Sequence, residues 1–358
     1  MENKKSKRKM IISAVLFAVA VIAVFAYIFK GYSFSTLIAT VATANPLYLM
    51  LGAAGMCIFV CCESLNIGRV LKALGYKHGF MQNLKYGALG FFFSGITPSA
   101  SGGQPMQLYS MSKDRISICH GSLALLTEVT SFQCINVLLA AIGIIYNYQY
   151  IMALGSGIKI LVFAGLGISS SILVFLYIVL FCPALANALE SKIKAFLLKI
   201  KKANAASSVA EQMNEYRRGA AYIKLHKALL IKTLATTFVQ LIAMYSITYF
   251  VFCALGGTGF SWLTLTTLQA VLTAGVSVVP LPGGTGAGEG GFKMMFAQIF
   301  AGNMLMPGML LSRGLSFYLG MIMTGILLMM IMISSKSPKI SKPQVYLPAS
   351  RLREGLNG

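Results

Sequence analysis

Six apolar runs, each close to the length that a helix needs to cross a bilayer, restrict the possible folds of this chain more than any other feature. A membrane-spanning helix needs about 20 mainly apolar residues. The runs occupy residues 10–29, 47–62, 118–145, 158–181, 229–255 and 309–333. The chain is 57% hydrophobic and only 11% charged, which excludes a soluble domain with a single core. The sequence therefore predicts an all-α polytopic membrane protein with about six full transmembrane helices.

The net charge of +21 is distributed unevenly along the chain and predicts its topology. Of the 30 Lys and Arg residues, 26 lie in residues 1–9, 69–85, 113–115, 192–232 and 336–358. The positive-inside rule places all five segments in the cytoplasm. We expect a multi-pass protein of the cell (inner) membrane, with a transmembrane domain at 10–335 between cytoplasmic basic tails at 1–9 and 336–358. The first run is longer than the apolar region of a signal peptide, so we expect it to be an uncleaved anchor.

Two further apolar stretches, 84–93 and 262–279, run into segments rich in glycine and proline, "SGITPSASGGQP" and "VVPLPGGTGAGEGGF". The charges on either side require the chain to leave the membrane on the face where it entered. Eight to ten helical residues at about 1.5 Å each reach only half-way across a core of about 30 Å. This predicts two oppositely oriented re-entrant helical hairpins, an inverted repeat typical of transporter sites. The alternative is that both segments are surface loops.

The broken segments supply the first set of candidate binding residues. Irregular backbone persists in a membrane only where it lines protein or a watery cavity, and a half-helix that starts there favours an anion such as phosphate. The glycines would let a headgroup approach the backbone. The candidates are Thr97, Ser99, Ser101, Gly102, Gly103 and Gln104 in the first break, and Pro282, Gly283, Gly284 and Thr285 in the second.

Four charged residues in or beside apolar segments complete the candidate site: Glu128, Glu289, Lys293 and Arg313. Charges inside a membrane are costly and usually functional. We predict that Glu128, Glu289 and Arg313 converge and pair, with Arg313 available for a lipid phosphate. The alternatives are a structural Glu289–Lys293 pair at i and i+4, and an Arg313 side chain that extends to the interface. Glu63 is expected at the cytoplasmic interface.

The basic segment 183–227 predicts amphipathic helices lying on anionic lipid. It lacks the interleaved aromatic residues and the recognisable fold of a nucleic-acid-binding segment, so no nucleic-acid partner is expected. The sequence contains no metal-binding or cofactor motif, and none is predicted.

The motifs "ITPSASGGQPMQLY" and "VPLPGGTGAGEGGF", followed by "LLSRGLSFYLG", resemble a known family. This is the transmembrane flippase-like family typified by the N-terminal half of lysylphosphatidylglycerol synthetase, the multiple peptide resistance factor. The resemblance covers roughly residues 10–335. It implies a polytopic lipid-handling domain, which in two-part members moves aminoacylated phosphatidylglycerol to the outer leaflet after a separate cytoplasmic domain has made it. Family members often carry Arg directly after the membrane Glu, where this chain has Val129, so the role of Glu128 stays open.

The resemblance implies a phospholipid flippase for aminoacylated phosphatidylglycerol or a related lipid, and a role in antibiotic resistance. The expected partners are the phospholipid, anionic lipids at the basic segments and a separate aminoacyl-lipid synthase, while homo-oligomerisation is left open. The alternatives are phosphatidylglycerol lysyltransferase itself and a transporter of a soluble metabolite. The longest stretch between predicted spans, 183–227, is too short for an acyltransferase domain. We therefore expect that the chain alone does not catalyse lysyl transfer.

Overall fold

The computed structural model describes residues 41–97, 100–182, 203–277 and 286–333, together with 188, 190–192, 194–195 and 279. The regular elements in these ranges are helices. In chain order they are α1 (Pro46–Ala73), α2 (Phe80–Ile96), α3 (Gly103–Lys113), α4 (Ile118–Tyr146), α5 (Tyr148–Ala153), α6 (Ser156–Phe181), α7 (Ala203–Leu225), α8 (Lys227–Ala254), α9 (Trp262–Val276), α10 (Ala287–Phe296), α11 (Leu305–Arg313) and α12 (Leu319–Ile333). The predicted first span, 10–29, and both tails lie outside the described residues.

Five helical units in the described ranges are long and apolar enough to cross a membrane. They are α1, α4, α6, α8 and the continuous unit Gly302–Ile331, which contains α11 and most of α12. In α6 only 17% of the most apolar stretch is buried, so most of its surface faces outward, as suits a helix next to lipid. The architecture is that of an all-helical, multi-pass membrane protein.

Helices α1 and α8 pack side by side in antiparallel orientation and form the centre of the bundle. Small residues allow the close approach, because a Cβ on Gly55 would lie only 2.8 Å from the carbonyl oxygen of Ala243. At the other end of the pair, Asn66 donates a hydrogen bond to Thr237 at 2.9 Å. Arg69, one turn further along α1, donates to the carbonyl oxygen of Lys232 at 2.8 Å.

The end of the bundle that contains Arg69 also gathers the basic segments, and we call it the basic end. There, Asp114, the residue that follows α3, binds side chains at the start of α2. Its carboxylate accepts hydrogen bonds from Gln82, from Lys85 at 2.6 Å and from Tyr86 at 2.9 Å. The first broken segment is therefore a helical hairpin, α2 and α3, that starts and finishes at the basic end.

Helix α2 is longer than the eight to ten residues expected for the entering arm. It begins at Phe80 and has 17 residues, or about 25 Å at 1.5 Å per residue. The expectation was wrong because it counted from the apolar run at Leu84. The polar residues Gln82 and Lys85 also belong to the helix, where Asp114 satisfies them.

The second broken segment forms a hairpin, α9 and α10, whose base lies at the other end of the bundle. This end contains the turn between α4 and α5 and is called the distal end. From that turn, Asn147 donates to Thr267 on α9 at 2.9 Å, and Tyr150 donates to the carbonyl oxygen of Met295 on α10 at 2.5 Å. The two hairpins thus start from opposite ends of the same bundle.

Helix α7 packs against the bundle through the apolar side that the sequence assigned to lipid. Ile223 is fully buried, Ala220 is 8% exposed, and the hydroxyl of Tyr216 donates to the carbonyl oxygen of Val179 at 2.9 Å. The predicted helix in the basic segment is confirmed for 203–225, but protein covers this face of it. Contact between the remaining basic surface and anionic lipid stays a prediction.

Candidate functional site

The candidate site is a cavity of about 290 Å³ that both hairpins reach. Ala100 lies in the first break, and Val279 and Gly288 lie on either side of the residues 280–285 in the second. The other lining residues come from α8, α9, α10, α11 and the turn after α11: Met244, Tyr245, Thr248, Gln269, Leu272, Thr273, Val276, Ser277, Phe292, Ser312, Arg313 and Ser316. The volume is near the lower end of the range for small-molecule pockets, roughly 300–1,000 Å³.

Arg313 provides the positive charge of the cavity. It is the last residue of α11, and the π-helical turn Gly314–Tyr318 follows it directly. A π-turn widens the helix by one residue and often marks a functional site. The guanidinium carbon lies 4.9 Å from the centre of the Phe317 ring, a cation–π geometry that holds the side chain over an aromatic face.

Glu289 is the ion-pair partner of Arg313. One of its carboxylate oxygens lies 4.0 Å from Nε of Arg313, and the two side chains are 16% and 19% exposed. Glu289 occupies the first turn of α10, where the helix dipole favours a negative charge. The site therefore presents charges of both signs within one ion pair. This confirms the predicted proximity of Glu289 and Arg313.

Lys293 lies outside this pair. It is one turn after Glu289 on α10, its side chain is exposed, and it forms no ion pair within the described part of the chain. The alternative of a structural Glu289–Lys293 pair is wrong, because the carboxylate of Glu289 pairs with Arg313 at the end of α11. A role for Lys293 in binding stays a prediction.

A polar wall that the sequence did not single out faces Arg313. Gln269 on α9 accepts a hydrogen bond from Thr248 at 2.9 Å and donates to Thr273 at 3.4 Å. Tyr245 donates to Asn136 at 2.7 Å. In the sequence, these residues are isolated polar positions in apolar helices. The packing of α8 against α9 shows that Tyr245, Thr248, Gln269 and Thr273 line the same side of the cavity.

The first break is held mainly by its own hairpin. Thr97 accepts a hydrogen bond from the backbone N–H of Gly102 at 2.8 Å and donates to the carbonyl oxygen of Phe93 at 2.7 Å. A Cβ on Gly102 would lie 2.6 Å from Thr97, and one on Gly103 would lie 2.1 Å from Ser94. Backbone and side-chain atoms of the hairpin thus occupy the space that was predicted for a headgroup.

The other candidates in the breaks have different surroundings or are not described. Ser101 and Gln104 are exposed at the start of α3, whereas Ala100 is the first-break residue that lines the cavity. The first turn of α3 contains Gly103, Gln104 and Pro105, as predicted for a returning half-helix. Ser99, Pro282, Gly283, Gly284 and Thr285 lie outside the described residues.

Glu128 does not join Glu289 and Arg313, contrary to the predicted three-way cluster. It is 7% exposed on α4 and faces Glu63 of α1, which is 9% exposed and was expected at the interface. The contact between the Phe59 and Phe132 rings, 6.5 Å apart, fixes the pairing of these antiparallel helices. Glu63 lies four residues after Phe59 on α1 and Glu128 lies four residues before Phe132 on α4, so this pairing brings the two glutamates opposite each other. The error arose because sequence spacing does not show which face of α4 meets α1.

The chain matches the family model described as "Lysylphosphatidylglycerol synthase TM region" over residues 10–323. The chain belongs to this family. The match includes both hairpins, the Glu63–Glu128 pair and Arg313. No curated protein matches the chain at a significant level. Family membership confirms the resemblance drawn from the two motifs and relates the protein to lysylphosphatidylglycerol handling.

Proposed function

We propose that the protein is a phospholipid flippase that moves aminoacylated phosphatidylglycerol or a related phospholipid between the leaflets of the cell membrane. The observation that carries the proposal is the convergence of both hairpins and the Glu289–Arg313 pair on one cavity. In this proposal both hairpins are re-entrant and both chain termini are cytoplasmic. Opposed half-helices around a central site are typical of transporters.

The ion pair fits a headgroup that carries both signs of charge. A guanidinium can bind a phosphate through two parallel hydrogen bonds, which an ammonium group cannot do. When the phosphate binds Arg313, Glu289 becomes available for a cationic group such as the amine of an aminoacyl ester. The polar wall of Gln269, Thr248 and Thr273 supplies neutral donors and acceptors for glycerol hydroxyls. The acyl chains stay in lipid.

Reconstituted vesicles provide the test. We expect the purified protein to move labelled lysylphosphatidylglycerol between leaflets, measured by the fraction of label accessible to an impermeant quencher. Arg313→Lys should slow this movement roughly tenfold to hundredfold, because a hydrogen bond to a charged group contributes about 1.5–3 kcal/mol. Glu289→Gln should slow lysylphosphatidylglycerol more than phosphatidylglycerol. Lys293→Gln, one turn away on the exposed side of α10, tests the predicted role of Lys293 in binding, and a wild-type rate would contradict that role.

Two results would contradict this function. The first is wild-type protein that moves neither lipid in vesicles. The second is an Arg313→Lys variant at full rate combined with an Arg313→Ala variant that only lowers the melting temperature, since Arg313 would then be a structural anchor.

A further inference from the structure

The second polar cluster in the bundle consists of Glu63 and Glu128, with the amides of Gln107 and Gln240 at the same level. It lies apart from the cavity residues, and the flippase proposal uses none of its four members. Glu63 and Glu128 are 9% and 7% exposed, Gln107 is 3% exposed and Gln240 is fully buried. In the described residues, no basic side chain lies within ion-pair distance of either carboxyl group.

Gln107 ties Glu63 to the returning arm of the first hairpin. Its amide donates one hydrogen bond to the carbonyl oxygen of Tyr86 at 3.1 Å and a second to Glu63 at 3.3 Å. Gly90 makes this approach possible, because a Cβ there would lie 2.2 Å from the Gln107 amide nitrogen and 2.8 Å from the Glu63 carboxyl oxygen. The returning arm of the first hairpin, α3, therefore contacts Glu63 directly.

Gln240 is the independent sign that the cluster receives a ligand. Both polar atoms of its side chain are buried and have no hydrogen-bond partner among the described residues. In the antiparallel packing of α1 and α8, Asn66 contacts Thr237. Glu63 lies one turn before Asn66 on α1, and Gln240 lies one turn after Thr237 on α8, so the two side chains are at the same level of the bundle. A buried amide without partners is costly, and a water molecule beside the carboxyl groups would satisfy it by donating to the amide oxygen and accepting from the amide N–H.

Two neighbouring carboxyl groups in an apolar interior cannot both be ionised cheaply. We propose that Glu63 and Glu128 form a proton-binding site that couples lipid movement to a proton gradient. One proton joins the ionised pair, so that one carboxyl group is protonated and the other stays ionised, and no other reactant is needed. The inference rests on the proposed function and gives it an energy source.

Other titratable groups near this level are engaged or neutral. Cys62 adjoins Glu63, Cys134 lies on α4, and the hydroxyl groups of Tyr86 and Tyr245 donate to Asp114 and Asn136. The nearest basic residues on α1 and α2 are also occupied, since Arg69 binds Asn66 and Thr236, and Lys85 binds Asp114. From α7, Glu215 is held by Ser117 at the basic end, while α9 and α12 contain no titratable residue. On α3, Lys113 lies over the ring of Tyr109, and on α4, His120 hydrogen-bonds to Tyr76 at the basic end. Within the described residues, the pair is thus the acidic group at this level.

Binding of the proton changes the strength of the hydrogen bond between Glu63 and Gln107 on α3. An ionised Glu63 accepts a stronger, charge-assisted hydrogen bond from Gln107 than a protonated one. Uptake of the proton therefore weakens the connection between α1 and the returning arm of the first hairpin. Because Ala100 at the tip of that hairpin lines the lipid cavity, the change reaches the proposed binding site.

The first experiment reads the site without any lipid movement. Infrared difference spectra of the purified protein, recorded as the pH is raised, should show the loss of a protonated-carboxyl C=O band. Glu128→Gln and Glu63→Gln should each remove or shift this band, whereas Glu215→Gln at the basic end should leave it unchanged. Glu128→Asp keeps a carboxyl group and should move the midpoint of the titration, which covers the case in which the Gln variant does not fold. A spectrum unaffected by all of these substitutions at Glu63 and Glu128 overturns the proposal.

The second experiment measures lipid movement in vesicles with and without a pH gradient. We expect the wild-type rate to change several-fold with the gradient and the Glu128→Gln rate to be independent of it. Wild-type movement that ignores the pH gradient, or that responds instead to a sodium gradient at constant pH, refutes proton coupling while leaving the flippase intact. If the wild type moves no lipid, the proposed function fails, and the infrared titration still decides whether the proton site exists.

Discussion

A substitution at Gly103, in the first break, distinguishes two explanations for the glycines there: close packing of the hairpin, or contact with a lipid headgroup. A Cβ added at this position would lie 2.1 Å from the hydroxyl of Ser94 and 2.7 Å from the carbonyl oxygen of Gly90. The serine can rotate away if it gives up its hydrogen bond to the carbonyl oxygen of Ala100. The carbonyl of Gly90 belongs to helix α2 and can retreat only if the two arms separate.

The separation required is about 0.7 Å, the difference between the 2.7 Å contact and the 3.4 Å at which ordinary contact begins. Overpacking of this kind typically costs about 1–3 kcal/mol. We therefore expect Gly103→Ala to lower the melting temperature of the purified protein. Gly290→Ala is the control, because it also places alanine in the first turns of a helix and meets no atom within 4 Å. The double change Gly103→Ala with Ser94→Gly should recover part of the loss, since only the contact with Gly90 remains.

The assay is thermal unfolding in detergent, followed by lipid movement in vesicles for each variant. A Gly103→Ala protein with an unchanged melting temperature and no lipid movement would refute the packing argument. That result would mean that the glycine serves contact with a headgroup, as the sequence alone suggested.

Two further predictions concern topology and the base of the first hairpin. In a cysteine-free variant, single cysteines at Asn303 and Lys224 should react with an impermeant reagent from opposite faces of the membrane; reaction from the same face would remove the inverted arrangement. Asp114→Asn should lower the melting temperature more than Glu215→Gln, because Asp114 accepts three hydrogen bonds, one from Lys85, whereas Glu215 accepts one from Ser117. Equal effects of the two substitutions would show that Asp114 does not hold the hairpin closed.

The sequence predicted the parts of this fold that depend on local composition. Apolar length identified the helices around residues 118–145 and 229–255, and clustered glycine and proline identified both breaks. These features are local because a helix satisfies its own backbone hydrogen bonds. The starting point of α2 was missed because a distant residue contributes to it, since Asp114, 32 and 29 residues away, binds the polar residues Gln82 and Lys85.

The candidate site was only partly predictable. Intramembrane charge identified Arg313 and Glu289, which form an ion pair, because such charges are rare enough to be informative one at a time. The partners of Glu128 were not predictable, because Glu63 is 65 residues away and its position depends on the register between α1 and α4. Gln107 and Gln240 are neutral amides in helices, and nothing in their local sequence distinguishes a buried site from an exposed surface.

The contacts between the cavity and the carboxyl pair indicate which hairpin responds to the proton. One connection runs along α4, from Glu128 to Asn136 and through its hydrogen bond to Tyr245 in the cavity wall. It covers eight residues of helix, about 12 Å, whose hydrogen bonds do not depend on the charge of Glu128. The other connection runs through Gln107, whose hydrogen bond to Glu63 changes strength when the carboxyl group changes charge. Asp114 holds the base of that hairpin in place. When the hydrogen bond between Gln107 and Glu63 weakens, we expect the tip of the hairpin to move. The α2–α3 hairpin is therefore the element that we expect a proton to move.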